Sequence, residues 1–157
     1  MSLNQNTQII EEEYVIELFR NEYSDFPKGK LLKTESPDFI LKDSSKTAIG
    51  IELTKLHGPA SSKENTHFTS KIRGYQTPEF TKENIEFTIS AKDVKLPIYQ
   101  QKMLNQIWLL IIADIIEIPV SFNLSNKLKN WNFFSGFHKV FLFEMKTCKV
   151  FELNLSY

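Results

Sequence analysis

The feature that most constrains this chain is a carboxylate inside an apolar strand. Along residues 48–55, Ile49, Ile51 and Leu53 fall on one face of an extended strand, and Gly50, Glu52 and Thr54 on the other. Glu52 therefore sits where an unpaired charge is costly, and the fold must bring it a partner. A second apolar run, Phe39, Ile40 and Leu41, precedes it, joined by the polar, turn-like residues 42–47. The two runs read as an antiparallel hairpin. Asp38 opens the first strand. A hairpin that brings an Asp and a Glu to one spot is a candidate site for a hard divalent cation.

The segments on either side place further charges. Residues 6–23 read as a helix, with Asn6 or Thr7 as cap and Glu11, Glu12 and Glu13 near the positive end of its dipole. Ile9, Ile16, Phe19 and Tyr23 form its apolar stripe, and Glu12 lies on that stripe. A short strand is expected at 31–34. Residues 57–79 read as a long loop carrying Lys63, Lys71 and Arg73. A second helix is predicted over 82–105, with Ile85, Ile89, Leu96, Tyr99 and Met103 on one face. Lys92 falls on that face. Pro97 is expected to kink this helix or split it.

The run 108–112 is continuously apolar, the pattern of a strand covered on both faces. A connection with a short helix is expected within 123–132. Residues 139–143 and 149–153 then form a closing hairpin. The order predicts one α/β domain over 1–157, a central mixed sheet flanked by helices.

Composition narrows the function classes. Nineteen basic residues balance nineteen acidic ones, so the chain lacks the basic excess of many nucleic-acid binders, although a local patch would suffice. Cys148 is the only cysteine, which excludes an internal disulfide and a cysteine-rich zinc site and suits a reducing, cytoplasmic setting. The polar, acidic N-terminus is unlike a signal peptide. The most apolar run, 107–116, is too short to span a membrane and contains Asp114, so no membrane partner is expected. His57, His67 and His138 lack metal-ligand spacing and read as surface or loop residues. Trp108 and Trp131 read as core or rim packing.

Three carboxylates and a lysine, Glu12, Asp38, Glu52 and Lys92, would point toward a core. That is unfavourable unless they meet one another or a metal. Together they could hold one or two Mg2+ ions and act on a phosphodiester. Each has a plainer alternative. Glu12 suits a first helical turn, and Asp38 a turn after Pro37. Glu52 could form a simple ion pair, and Lys92 could snorkel from the stripe edge.

Pro37-Asp38, followed on the next strand by Glu52 behind Gly50-Ile51, resembles the PD-(D/E)XK nuclease superfamily, the restriction-endonuclease-like fold. The likeness takes in the helix with Glu12, the hairpin, the helix with Lys92 and the strand from Trp108, and 137–142 is similar to small bacterial members. It implies an αβββαβ core with a C-terminal β-hairpin. It also implies a Mg2+- or Mn2+-dependent nuclease acting on DNA, in a family that includes homodimers. Asp38 and Glu52 would bind the metal, with Glu12 assisting.

The family pattern is Glu-x-Lys, and here Thr54 stands at the lysine position. Lys55 comes one residue late, which turns it to the opposite strand face. Some members carry the lysine on the following helix. Lys92 is the candidate for that role and Lys95 the second. Lys63, Lys71, Arg73 and Lys95 would contact the nucleic acid. The alternative is a catalytically inert binding or interaction module that kept the scaffold and lost the lysine. A third possibility is an unrelated small α/β protein whose acids form surface pairs.

Overall fold

Strand β3 (Ala48–Lys55) and strand β4 (Gln106–Ala113) run parallel through the middle of a six-stranded mixed sheet. The computed structural model describes residues 3–58, 81–113 and 124–156. On one side of β3 lie β2 (Phe39–Lys42) and β1 (Lys30–Lys33), each antiparallel to its neighbour. On the other side β4 is followed by β6 (Lys139–Glu144), parallel to it, and β7 (Lys149–Glu152), antiparallel to β6. Both expected hairpins are present. In the turn of the first, Asp43 Oδ1 accepts the backbone N–H groups of Ser45 and Thr47, each at 2.9 Å. This is the side-chain turn that Asp favours.

Alternation along β3 separates two cores. Ile49, Ile51 and Leu53 join Phe39, Leu41, Trp108, Leu110, Phe141 and Phe143 beneath helix α1 (Leu3–Glu22). That helix buries Val15, Ile16 and Phe19 completely. The opposite face, with Ile107, Leu109, Ile111 and Leu142, is covered by Ile85, Ile89, Leu96 and Tyr99. Those four come from helices α2 (Lys82–Asp93) and α3 (Leu96–Gln100). Helix α4 (Leu124–Asn130) adds Leu128 to this layer. The architecture is therefore helices on both faces of a mixed sheet.

The split expected at Pro97 is present: the stretch 82–105 holds two helices, and α2 ends at Asp93, four residues before Pro97. The Pro97 ring would clash with the carbonyl of residue 93 in a continuous helix, whereas Pro is favourable in the first turn of α3. Met103, expected on the stripe, lies beyond α3 and is 90% exposed. Strands β5 (Asn132–Phe134) and β8 (Asn154–Ser156) form a separate parallel pair that was not expected. Three-residue strands carry too little alternation to be read from sequence. No helix among the described residues is long and apolar enough to cross a membrane.

Gly50 matters for the placement of the site. A Cβ there would lie 2.6 Å from Leu104 Cδ1 and 2.7 Å from Pro37 Cγ. The missing side chain lets Pro37 rest on β3, and that seats Asp38 next to Glu52.

Phe19 anchors α1, with its ring 5.0 Å from that of Phe141 and 5.8 Å from that of Phe26. Phe19→Ala should cost about 3–5 kcal/mol of stability in chemical denaturation, through lost burial plus a cavity. Val94→Ala, at a residue 75% exposed, should stay within about 0.5 kcal/mol of the parent. Equal effects would show that α1 is not docked as described.

Candidate functional site

Phe39 pairs with Ile51, so Asp38, one step earlier, stands beside Glu52. Where the β2–β3 backbone ladder ends, the Asp38 side chain continues it. Its Oδ2 accepts the Leu53 N–H at 2.8 Å. Glu52 is 5% exposed. Its Oε2 accepts from Lys92 Nζ at 2.9 Å and from the Tyr99 hydroxyl at 2.7 Å. These two donors come from α2 and α3, on the face of β3 away from α1.

Helix α1 supplies Glu12, which is also buried. Its Oε2 lies 2.9 Å from Lys33 Nζ, and its Oε1 accepts from Gln8 Nε2 at 3.1 Å. A pocket of about 460 Å3 opens here, lined by Gln8, Ile9, Glu12, Lys33, Thr34, Glu35 and Asp38. The structure thus brings together all four residues singled out for chemistry: Glu12, Asp38, Glu52 and Lys92. They arrive from four separate segments.

The electrostatics follow from burial and charge. Asp38 is pushed well above the usual carboxylate range, first by burial, then by the charge of Glu52 and its hydrogen bond to it, and by Glu12. The Leu53 N–H opposes this weakly. Glu52 moves the other way. Burial alone would raise it, but the Lys92 charge and hydrogen bonds from Asp38, Tyr99 and Lys92 outweigh burial and hold it low. Burial beside Glu52 thus favours the protonated form of Asp38, while Lys92 and Tyr99 favour the charged form of Glu52. Tyr99 is raised by burial and by Glu52, so its hydroxyl stays a donor.

The other expected residues separate clearly. Lys95 is exposed at the N-cap of α3 and takes no part in the Glu52 cluster. Lys63, Lys71, Arg73 and His67 lie outside the described residues. Lys55 is fully buried and is lowered by burial, an effect opposed by the charge of Glu11 on α1. It faces away from Glu52, as the strand period requires. Thr54 is buried on the Glu52 face, and its Oγ1 has no hydrogen-bond partner among the described residues. His57 is a correction. Expected on the surface, it is 4% exposed, and its Nδ1 donates to Lys55 O at 2.8 Å. Its backbone N–H donates to Thr88 Oγ1 at 3.0 Å, so α2 covers it. Trp108 is buried as expected, and Trp131 packs at the core edge.

Two contributors were missed. Tyr99 was read only as a stripe residue, although a buried tyrosine hydroxyl generally needs a partner, and that requirement was a usable signal. Lys33 lies at the end of a four-residue strand, where nothing in the sequence sets its direction.

Among the described residues, no group of three or more His, Cys, Asp or Glu side chains is arranged to hold a metal ion. Two carboxylates remain. Mg2+ commonly takes one or two and completes its shell with water and phosphate oxygen, so the donor set at Asp38 and Glu52 fits such an ion. No protein-family model, curated protein or solved structure matches this chain.

A pH test follows. The Asp38 carboxyl is raised in the folded state. The unfolded chain loses that proton near pH ~3.9, and the folded protein holds it to higher pH. Its stabilising contribution is full below the unfolded value and is lost as pH rises through the folded one. Asp38→Asn keeps a donor toward Glu52 and does not titrate. Its stability relative to the parent should therefore grow between about pH 4 and pH 8 in urea denaturation. A constant difference over that range would refute the raised Asp38 carboxyl.

Proposed function

We propose that this protein is a metal-dependent phosphodiester hydrolase, a nuclease of the restriction-endonuclease-like type acting on DNA. The observation that carries this is the position of Lys92, whose Nζ lies 2.9 Å from Glu52 Oε2 while Thr54 occupies the strand position of the motif lysine. A lysine supplied from the next helix is the substitution the motif would need. The chain order also supports it: α1, three antiparallel strands β1 to β3, helices α2 and α3, then β4 parallel to β3.

Asp38 and Glu52 would hold Mg2+ or Mn2+. When bound, such an ion would polarise a phosphate oxygen and lower the pKa of a water. Asp38 would bind such an ion through its ionised carboxylate. Tyr99 keeps Glu52 oriented by donating to its Oε2 at 2.7 Å. Lys92 provides a fixed positive charge at the carboxylates, placed to stabilise negative charge that develops on the phosphate. Glu12, tied to Lys33, borders the site through its charge. Lys63, Lys71, Arg73 and Lys95 are the proposed phosphate contacts on the DNA.

One observation favours the inert module instead. Glu52 Oε2 already accepts from both Lys92 and Tyr99, so the cluster satisfies itself without an ion. A cleavage assay over Mg2+ and Mn2+ with single- and double-stranded DNA separates the two. If the protein is a nuclease, Lys92→Gln should lower the cleavage rate by about 10^2–10^3 with metal and DNA affinity nearly kept, the mark of an interaction made in the transition state. Circular dichroism checks that the variant is folded. Parent protein that binds DNA but cleaves none of these substrates would establish the inert module.

A further inference from the structure

The Lys33 ammonium has three hydrogens and three acceptors. Its Nζ lies 2.9 Å from Glu12 Oε2, 3.1 Å from the Asp38 carbonyl oxygen and 2.5 Å from the Thr34 carbonyl oxygen. It also sits 5.1 Å from the centre of the Phe39 ring. No hydrogen is left to reach a phosphate. Its carbonyl partners lie at the two ends of the loop 34–38, which is also closed by the Thr34 N–H on Asp38 O at 2.8 Å and by the Thr34 hydroxyl on Pro37 O. Its carboxylate partner lies on α1.

We propose that Lys33 is a positioning residue, which fixes the main chain of Asp38 against α1 and so aims the Asp38 carboxyl at Leu53 N–H and Glu52. Three observations carry this independently of any ion. Lys33 holds the carbonyl of Asp38 itself. The β2–β3 ladder begins only at Phe39, so on the β3 side it does not extend to residue 38, which has the Thr34 N–H on its carbonyl oxygen on the β1 side. The hydrogen bond from Leu53 N–H reaches the Asp38 side chain, so a shift of its backbone would be felt there at once. The same ammonium neutralises Glu12, which leaves Asp38 and Glu52 as the pair available to a cation. That last consequence rests on the cation-site reading of Asp38 and Glu52 given above.

The test uses two readouts on the full chain. Lys33→Met keeps the length of the stem and removes all three hydrogen bonds. Glu12→Gln removes only the charge partner and leaves the two carbonyl contacts. The first readout is amide hydrogen exchange. With Lys33→Met, the Leu53 amide should exchange at least about tenfold faster, whereas the Leu109 amide in β4 keeps its protection relative to global stability. Glu12→Gln should leave Leu53 within about twofold of the parent. Lys33→Arg, which can still reach carbonyl oxygens, should recover part of the protection. Equal acceleration at Leu53 and Leu109 would mean that Lys33 contributes stability only, and would overturn the proposal. The second readout is Mn2+ affinity by calorimetry, which Lys33→Met should lower by about tenfold, the size expected for loss of a residue that orients a ligand. If the parent binds no Mn2+, the cation reading fails, and the Leu53 amide still decides the role of Lys33.

Discussion

The structure depends on keeping one buried carboxylate charged. Glu52 lies in a central strand between two apolar cores, where removal of water costs several kcal/mol per ion. Three groups offset that cost: the Lys92 ammonium, the Tyr99 hydroxyl and the Asp38 carboxyl. None is close to Glu52 in sequence, so the interaction is also a constraint on topology. In a straight helix, Lys92 and Tyr99 would stand two turns, about 10.5 Å, apart along the axis. The helix is interrupted at Val94 and Lys95, before Pro97, and both donors reach the same oxygen. A residue that reads as a helix breaker is therefore part of what satisfies Glu52.

The charge balance of the cluster is simple. Glu12, Asp38 and Glu52 are three carboxyls, and Lys33 and Lys92 are two ammonium groups. Lys33 neutralises Glu12 on the α1 side, and Lys92 neutralises Glu52 on the α2 side. Asp38 lies between them, and among the described residues no ammonium pairs with its carboxyl. Burial and the charge of the neighbouring carboxylates raise its pKa well above the usual carboxylate range.

Much of this was legible in the sequence. The period of two along 48–55 put Glu52 and Thr54 on one face and Ile49, Ile51 and Leu53 on the other, and the cores follow that division. The period of helix 82–93 put Lys92 with Ile85 and Ile89, which sufficed to bring it to Glu52. Glu12 was recognisable because an acid on an apolar stripe must find a cation. What stayed hidden depends on direction at the ends of elements. Lys33 ends a short strand, and His57 follows β3 where no repeat fixes which way a side chain points. The burial of His57 is set by Thr88 on α2, a contact across 31 positions that no local pattern encodes.

Stability alone does not account for the cluster. Breaking a buried ion pair by removing one partner is strongly destabilising, yet replacing the whole set by apolar residues of similar volume is often neutral or favourable. The sheet offers such an alternative next door, because Leu109 and Ile111 on β4 pack against the same helices without any charge. Thr54 points in the same direction. Its buried Oγ1 lacks a hydrogen-bond partner among the described residues, and a valine would fill that volume without stranding a hydroxyl. A chain selected only to hold this fold has no need of five ionisable side chains at the open end of β2 and β3. Their concentration beside a pocket bordered by Asp38 is what the energetics of folding do not require.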